Sequence, residues 1–213
     1  MRPARAIPLA LACVTLLPAQ PDPGKWINSH LADATEKKLT ALFEIRQRVE
    51  DRTGILFGRD RDIAADFIRT RFGISYRPAP WIKLHGLAQD TRVAAYGAPA
   101  PGSVKDPLDL QEGYVELFSS TQKGFGATIG RQMIGYGDTR LIGSPQWAYA
   151  ARTWDTARLY YVTARMRLEV LHISPIGPRG DGFNKPILGD RIWGTYSTFK
   201  DVLGKNLVDA YIL

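Results

Sequence analysis

The sequence predicts an all-β fold, an antiparallel up-and-down transmembrane β-barrel, present here as an incomplete part of about eight or nine strands belonging to a larger barrel. Three observations predict it. Segment after segment alternates apolar and polar side chains, the pattern of a strand with two unlike faces. No helix-length apolar run follows Pro18; a spanning helix needs about 20 residues, so a membrane-embedded mature chain can satisfy its backbone groups only as a closed sheet. Turn-rich pieces such as GAPAPGSVKDP and IGPRGDGFNKP alternate with short connections, as up-and-down barrels require.

Residues 1–19 read as a secretory signal, with Arg2 and Arg5 as the positive end, Ala6 to Leu17 as the apolar stretch and Pro18-Ala19 as a small-residue exit. Its apolar run is too short to serve as a spanning anchor. Cys13 lies inside it and lacks a leucine three positions before, so lipidation is disfavoured and the mature chain holds neither disulfide nor thiolate metal site. Removing the two arginines takes the net charge from +7 to +5. Residues 20–37 form a polar, proline-containing lead, and 38–213 the barrel domain.

The strands follow in order. Leu39, Ala41, Phe43, Ile45 and Val49 share one face, with Thr40, Glu44, Arg46, Arg48 and Glu50 on the other. In DFIRTRFGISYR, Ile68, Thr70, Phe72, Ile74 and Tyr76 oppose Arg69, Arg71, Ser75 and Arg77. WIKLHGLAQD sets Ile82, Leu84 and Ala88 against Lys83, His85 and Gln89, and LQEGYVELF sets Gly113, Val115 and Leu117 against Glu112, Tyr114 and Glu116. FGATIGRQ, DTARLYYVT, RMRLEVLHIS, RIWGTYSTFK and NLVDAYIL complete the series. Their lengths suit tilted spanning strands. Trp81, Trp147, Trp154 and Trp193 sit near predicted strand ends, where a membrane girdle would place them.

With 45% apolar and 23% charged residues the chain can bury a core. Its basic balance suits a polyanion, a membrane surface or a nucleic acid. The last is disfavoured by export and by the lack of a recognition motif. GYGDTR has no GK[ST] and no capped helix after it, which excludes a nucleotide loop. His30, His85 and His172 lack metal-ligand spacing, and no GxSxG occurs. Glu112 and Glu116 share a face and are expected to pair with neighbouring arginines rather than act as a glycosidase couple. No catalytic residue, metal or cofactor is therefore expected.

Arginine is the informative type, with 19 against 9 lysines. Arg46, Arg48, Arg69, Arg71, Arg158 and Arg167 take the polar parity of their strands. A guanidinium keeps its charge when partly desolvated and holds carboxylates with two parallel bonds. These arginines would line an anion path, or neutralise the carboxylates beside them, or do both.

DPLDLQEGYVEL, IGRQMIGYGDTRLIG and WAYAARTWDTARLYY, in that order and spacing, resemble the alginate export family of outer-membrane porins, and WIKLHGLAQDTRV is similar to the family's preceding region. The resemblance covers about residues 38 to 213. It implies a monomeric barrel in outer-membrane lipid whose arginine-rich lumen passes an anionic polysaccharide or small anion, with no enzymatic step. Gly130, Arg131, Gln132, Tyr136, Gly137, Asp138, Arg140, Arg152 and Asp155 are the matching motif positions, and Arg92 belongs to the preceding region. The expected solute path is thus Arg46, Arg48, Arg69, Arg71, Arg92, Arg131, Tyr136, Asp138, Arg140, Arg152 and Arg158. Family barrels are longer, and this chain stops at NLVDAYIL without a terminal aromatic, so it is expected to be the N-terminal portion of one, the alternatives being a small closed barrel or assembly with another copy. The rival from another class is an exported soluble β-protein that binds or processes acidic glycans, which would need a second apolar sheet over the first.

Overall fold

The computed structural model describes residues 23–52, 63–96, 100, 102–118, 123–179, 182–202 and 204–213. The expected export signal lies outside the described residues. Ten strands form one antiparallel sheet: β1 (Leu39–Arg52), β2 (Ile63–Ala79), β3 (Ile82–Ala94), β4 (Asp106–Leu117), β5 (Gly124–Gln132), β6 (Trp154–Val162), β7 (Met166–Gly177), β8 (Lys185–Pro186), β9 (Ile192–Lys200) and β10 (Leu207–Ile212). Each pairs with its sequence neighbour, except that the two-residue β8 pairs only with β7, leaving β7 to pair with β9 as well. The alternating segments thus form the up-and-down sheet that they predict. It is not closed, and β1 and β10 are its edges among the described residues.

The two faces are inverted relative to a soluble sheet. Phe43, Ile45 and Val49 on β1 are 65%, 63% and 75% exposed, and Ile68, Phe72 and Ile74 on β2 are exposed too. On the other parity of β2, Arg69 and Arg71 are each only 4% exposed. Apolar side chains outward and charged ones inward is the arrangement that hydrocarbon selects. No helix among the described residues is long and apolar enough to cross a membrane.

Connections also differ between the two rims. β2 joins β3 through a tight turn at Pro80-Trp81, and β6 joins β7 through one closed by the Thr163 N–H donating to Met166 O at 2.8 Å. At the opposite rim the longer connections join β3 to β4, β5 to β6 and, by way of β8, β7 to β9. Aromatic pairs mark the short-turn side, the exposed Trp81 with Phe118 at 6.5 Å and the exposed Phe125 with the half-buried Tyr161 at 4.6 Å. Trp193 also points outward, its ring tilted against that of His172 at 4.0 Å. The girdle expectation needs correction for two tryptophans. Trp154 is buried against Leu171 and Ile173 on the inner face, and Trp147 sits in the 133–153 loop.

The polar lead contains a helix that alternation could not reveal, α1 (Pro23–Ala34). Pro23 opens it, where a missing N–H costs nothing. Glu36 and Lys37, at φ 52° and 62°, end it. Asn28 ties the helix to the sheet: its amide accepts from Ala41 N at 2.8 Å and donates to Ala41 O at 3.0 Å.

Candidate functional site

β5 ends at Gln132 and the chain turns onto the inner face, where residues 133–153 lie across the sheet. Their first part is a small hairpin. Tyr136 N donates to Ile142 O at 2.8 Å and Ile142 N returns to Tyr136 O at 3.4 Å. Gly137, Asp138 and Thr139 in the bend have φ of 58°, 51° and 64°. That conformation is easy for glycine, tolerable for Asp and unusual for a β-branched residue. A side chain on Gly143 would start 2.7 Å from Thr139 O, so this position has room only for hydrogen.

Tyr136 anchors one end of the loop. Its ring packs 4.7 Å from that of Tyr196 on β9, and its hydroxyl donates to Glu169 on β7. Glu169 is 3% exposed and also holds Arg158 at 3.4 Å and Arg167 at 2.9 Å. Arg158 reaches the Gln132 side chain and Tyr136 Oη as well. Burial, with the Glu169 carboxylate beside it, raises the Tyr136 phenol above its ordinary range. Glu169 was not foreseen as a site residue. It stands in RMRLEVLHIS at lumen parity, which was the one available signal.

The other end is held by β1 and β2. Arg46 donates to the carbonyls of Gln146, Trp147 and Ala148 at 3.1, 3.0 and 2.9 Å. Arg69 donates to Gln146 O and Ala148 O, both at 2.9 Å, and pairs with Glu44. Arg71 donates to Gln146 Oε1 at 2.9 Å and to Gln89 Oε1 at 2.7 Å. Arg48 lies 4.2 Å over the Tyr149 ring, which stacks on Phe67 at 3.9 Å. Tyr136 is bridged to Ile142, and Gln146 lies four residues beyond, at most about 14 Å of chain. Tyr136 meets β9 and Gln146 meets β1, which a flat sheet would hold about 34 Å apart, so the sheet curls around the loop.

Between these anchors is a cavity of about 610 Å³ lined by Asp106, Thr139, Arg140, Trp147, Arg152 and Asn184, among others. Asn184 donates to Asp106 Oδ1 at 3.0 Å, and its backbone N–H to Asp109 Oδ2 at 2.6 Å, so that wall is internally satisfied. The two arginines differ from it. Arg140 has no side-chain hydrogen bond or ion pair with any described residue, and Arg152 has only the Trp154 ring, 5.9 Å away. Asp138 is exposed at the hairpin tip.

Two expected path residues take the outward parity instead. Arg92 shares the face of Leu84 and Ala88 and pairs with Asp90 at 2.8 Å. Arg131 shares the face of Ile129 and pairs with Asp155 at 2.9 Å. Alternation within their own strands already implied this. Glu112, expected to meet an arginine, lies 3.6 Å from His85 and accepts from Met133 N at 2.9 Å. No cluster of three metal-ligating side chains occurs among the described residues.

An inverted sheet with an inward loop narrows the comparison, and the alginate export family model matches residues 45–213. The chain belongs to the alginate export family. That membership brings a role in alginate export or transport and an outer-membrane setting. No curated protein and no solved structure matches the chain.

Proposed function

We propose that this member of the alginate export family contributes the wall and the constricting loop of an outer-membrane channel for passive passage of an acidic polysaccharide, oligosaccharide or other anion. The single observation that carries the reading is the pair Arg140 and Arg152, cations without a carboxylate partner among the described residues, at a cavity beneath an inward loop. An arginine already committed to a carboxylate offers a passing anion little. One left open lowers the energy of an anion shedding its water, and the nearby carboxylates Asp106 and Asp109 keep it from binding too tightly to leave.

The exported soluble glycan-binding protein is disfavoured by the exposed apolar face of β1 and β2, which water would penalise and lipid would not. The test is reversal potential in a salt gradient across planar bilayers, for the native chain and for Arg140→Gln with Arg152→Gln. Anion preference in the native protein, reduced in the double variant, is the expected result. Cation preference in the native protein, or recovery of the chain in the soluble periplasmic fraction, overturns the reading.

A further inference from the structure

We propose that Arg46, Arg69 and Arg71 are positioning residues rather than residues that meet the solute: the guanidinium forks of Arg46 and Arg69 clamp the backbone of Gln146–Ala148, Arg71 holds the Gln146 side chain, and together they keep the 133–153 loop in the passage. Arg46 and Arg69 are direct cross-strand partners on the inner face of β1 and β2. Like charges opposed in this way repel. Here both aim at the same two carbonyl oxygens, of Gln146 and Ala148, and Arg46 takes that of Trp147 too. Glu44 supplies the counter-charge to Arg69 and, at 3.6 Å, to Arg71.

Three carbonyls turned toward two guanidiniums form an acceptor site that only a planar, multi-donor cation fills. Arg69 and Arg71 are almost wholly buried beneath the loop, so a passing anion cannot reach them while it is in place. The Arg48–Tyr149–Phe67 stack extends the grip by one residue. Thr91 Oγ1 donates to Tyr149 O at 3.4 Å and Gln111 to Ala151 O at 2.7 Å, carrying the attachment toward Arg152. The effect of the β1 and β2 arginines on selectivity is therefore indirect, through where they put Arg140 and Arg152.

Lysine separates the two roles, because it keeps the charge and loses the fork. In Arg46→Lys with Arg69→Lys, the field in the lumen is unchanged and the clamp is broken. Two readouts apply to the full chain: the rate of trypsin cleavage at Arg140 and Arg152 in detergent, and reversal potential in planar bilayers. Cleavage about tenfold faster or more is expected, since the cut follows the population of the released loop, together with loss of anion preference. Native cleavage rates in the lysine variant overturn the proposal.

Tyr149→Ala keeps every arginine and loosens the same segment from the loop side. It is expected to raise cleavage as well, and it decides the matter, by the same two outcomes, if the lysine variant does not fold. Arg92→Lys, on the outer face, is the control and should behave as native. Because the inference rests on the channel reading above, the readouts are kept apart: a native protein without anion preference defeats that reading, whereas the cleavage ratio alone judges the clamp.

Discussion

Arg46 and Arg69 face each other across β1 and β2, and both donate to the carbonyl oxygens of Gln146 and Ala148. Two cations can sit so close because partial negative charge from the loop backbone lies between them and Glu44 lies beside them. The loop and the arginines stabilise each other. Without the carbonyls, the charged pair would be a cross-strand repulsion.

Glu44→Gln follows from this. It removes the carboxylate that pairs with both Arg69 and Arg71. Glu44 is about a third exposed, so water screens part of the loss. A decrease in stability of about 1 kcal/mol is expected, read as a lower urea midpoint of the protein in lipid vesicles.

Glu169→Gln should cost more. Its carboxylate is buried and holds Arg158 and Arg167 while accepting from Tyr136. Neutralising it takes the counter-ion from the Arg158 guanidinium and removes one of the groups that hold Arg167, at about 3 kcal/mol. Temperature-dependent gel mobility of the folded barrel should shift to markedly lower temperature. An unchanged transition would mean that the two arginines find other acceptors.

Tyr136→Phe keeps the ring packing on Tyr196 and deletes the hydroxyl, with an expected loss of about 1–2 kcal/mol. The native phenol also makes an alkaline prediction. Its folded-state value is raised above the ordinary 10.0, so its contribution to stability is complete below pH 10.0 and falls as pH rises from there through the raised value. Tyrosinate absorbance should show one late-titrating phenol fewer in Tyr136→Phe than in the native protein.

Gly126→Ala tests the packing below the site. A Cβ there would sit 2.2 Å from the Tyr160 ring, whose hydroxyl donates to Phe118 O at 2.8 Å. The ring must shift and that bond break, a destabilisation of about 1–3 kcal/mol, visible as a lower unfolding temperature by circular dichroism.

The strands were legible because each carries its own evidence: Phe43, Ile45 and Val49 alternate with Glu44, Arg46 and Arg48 whatever the rest of the chain does. Arg92 and Arg131 could have been placed outward by the same alternation. The clamp was not legible, since Arg46 and its carbonyl partners are about a hundred residues apart and a backbone oxygen has no sequence signature. Glu169 was hidden similarly, as its partner Tyr136 comes from a loop whose inward course only the folded sheet defines. α1 escaped notice because Asn28, its link to the strand, is polar and falls in no period-two pattern.

The bond pair between Asn28 and Ala41 gives the β1 edge a fixed starting point. By the alternation of an antiparallel ladder, the peptide groups of Ala41, Phe43 and Ile45 point away from β2. The first of these is already occupied by a side-chain amide that imitates a strand. A strand laid along this edge, whatever its source, would find its docking positions from Phe43 onward. The amide of one helix residue thus caps the start of the β1 edge at Ala41.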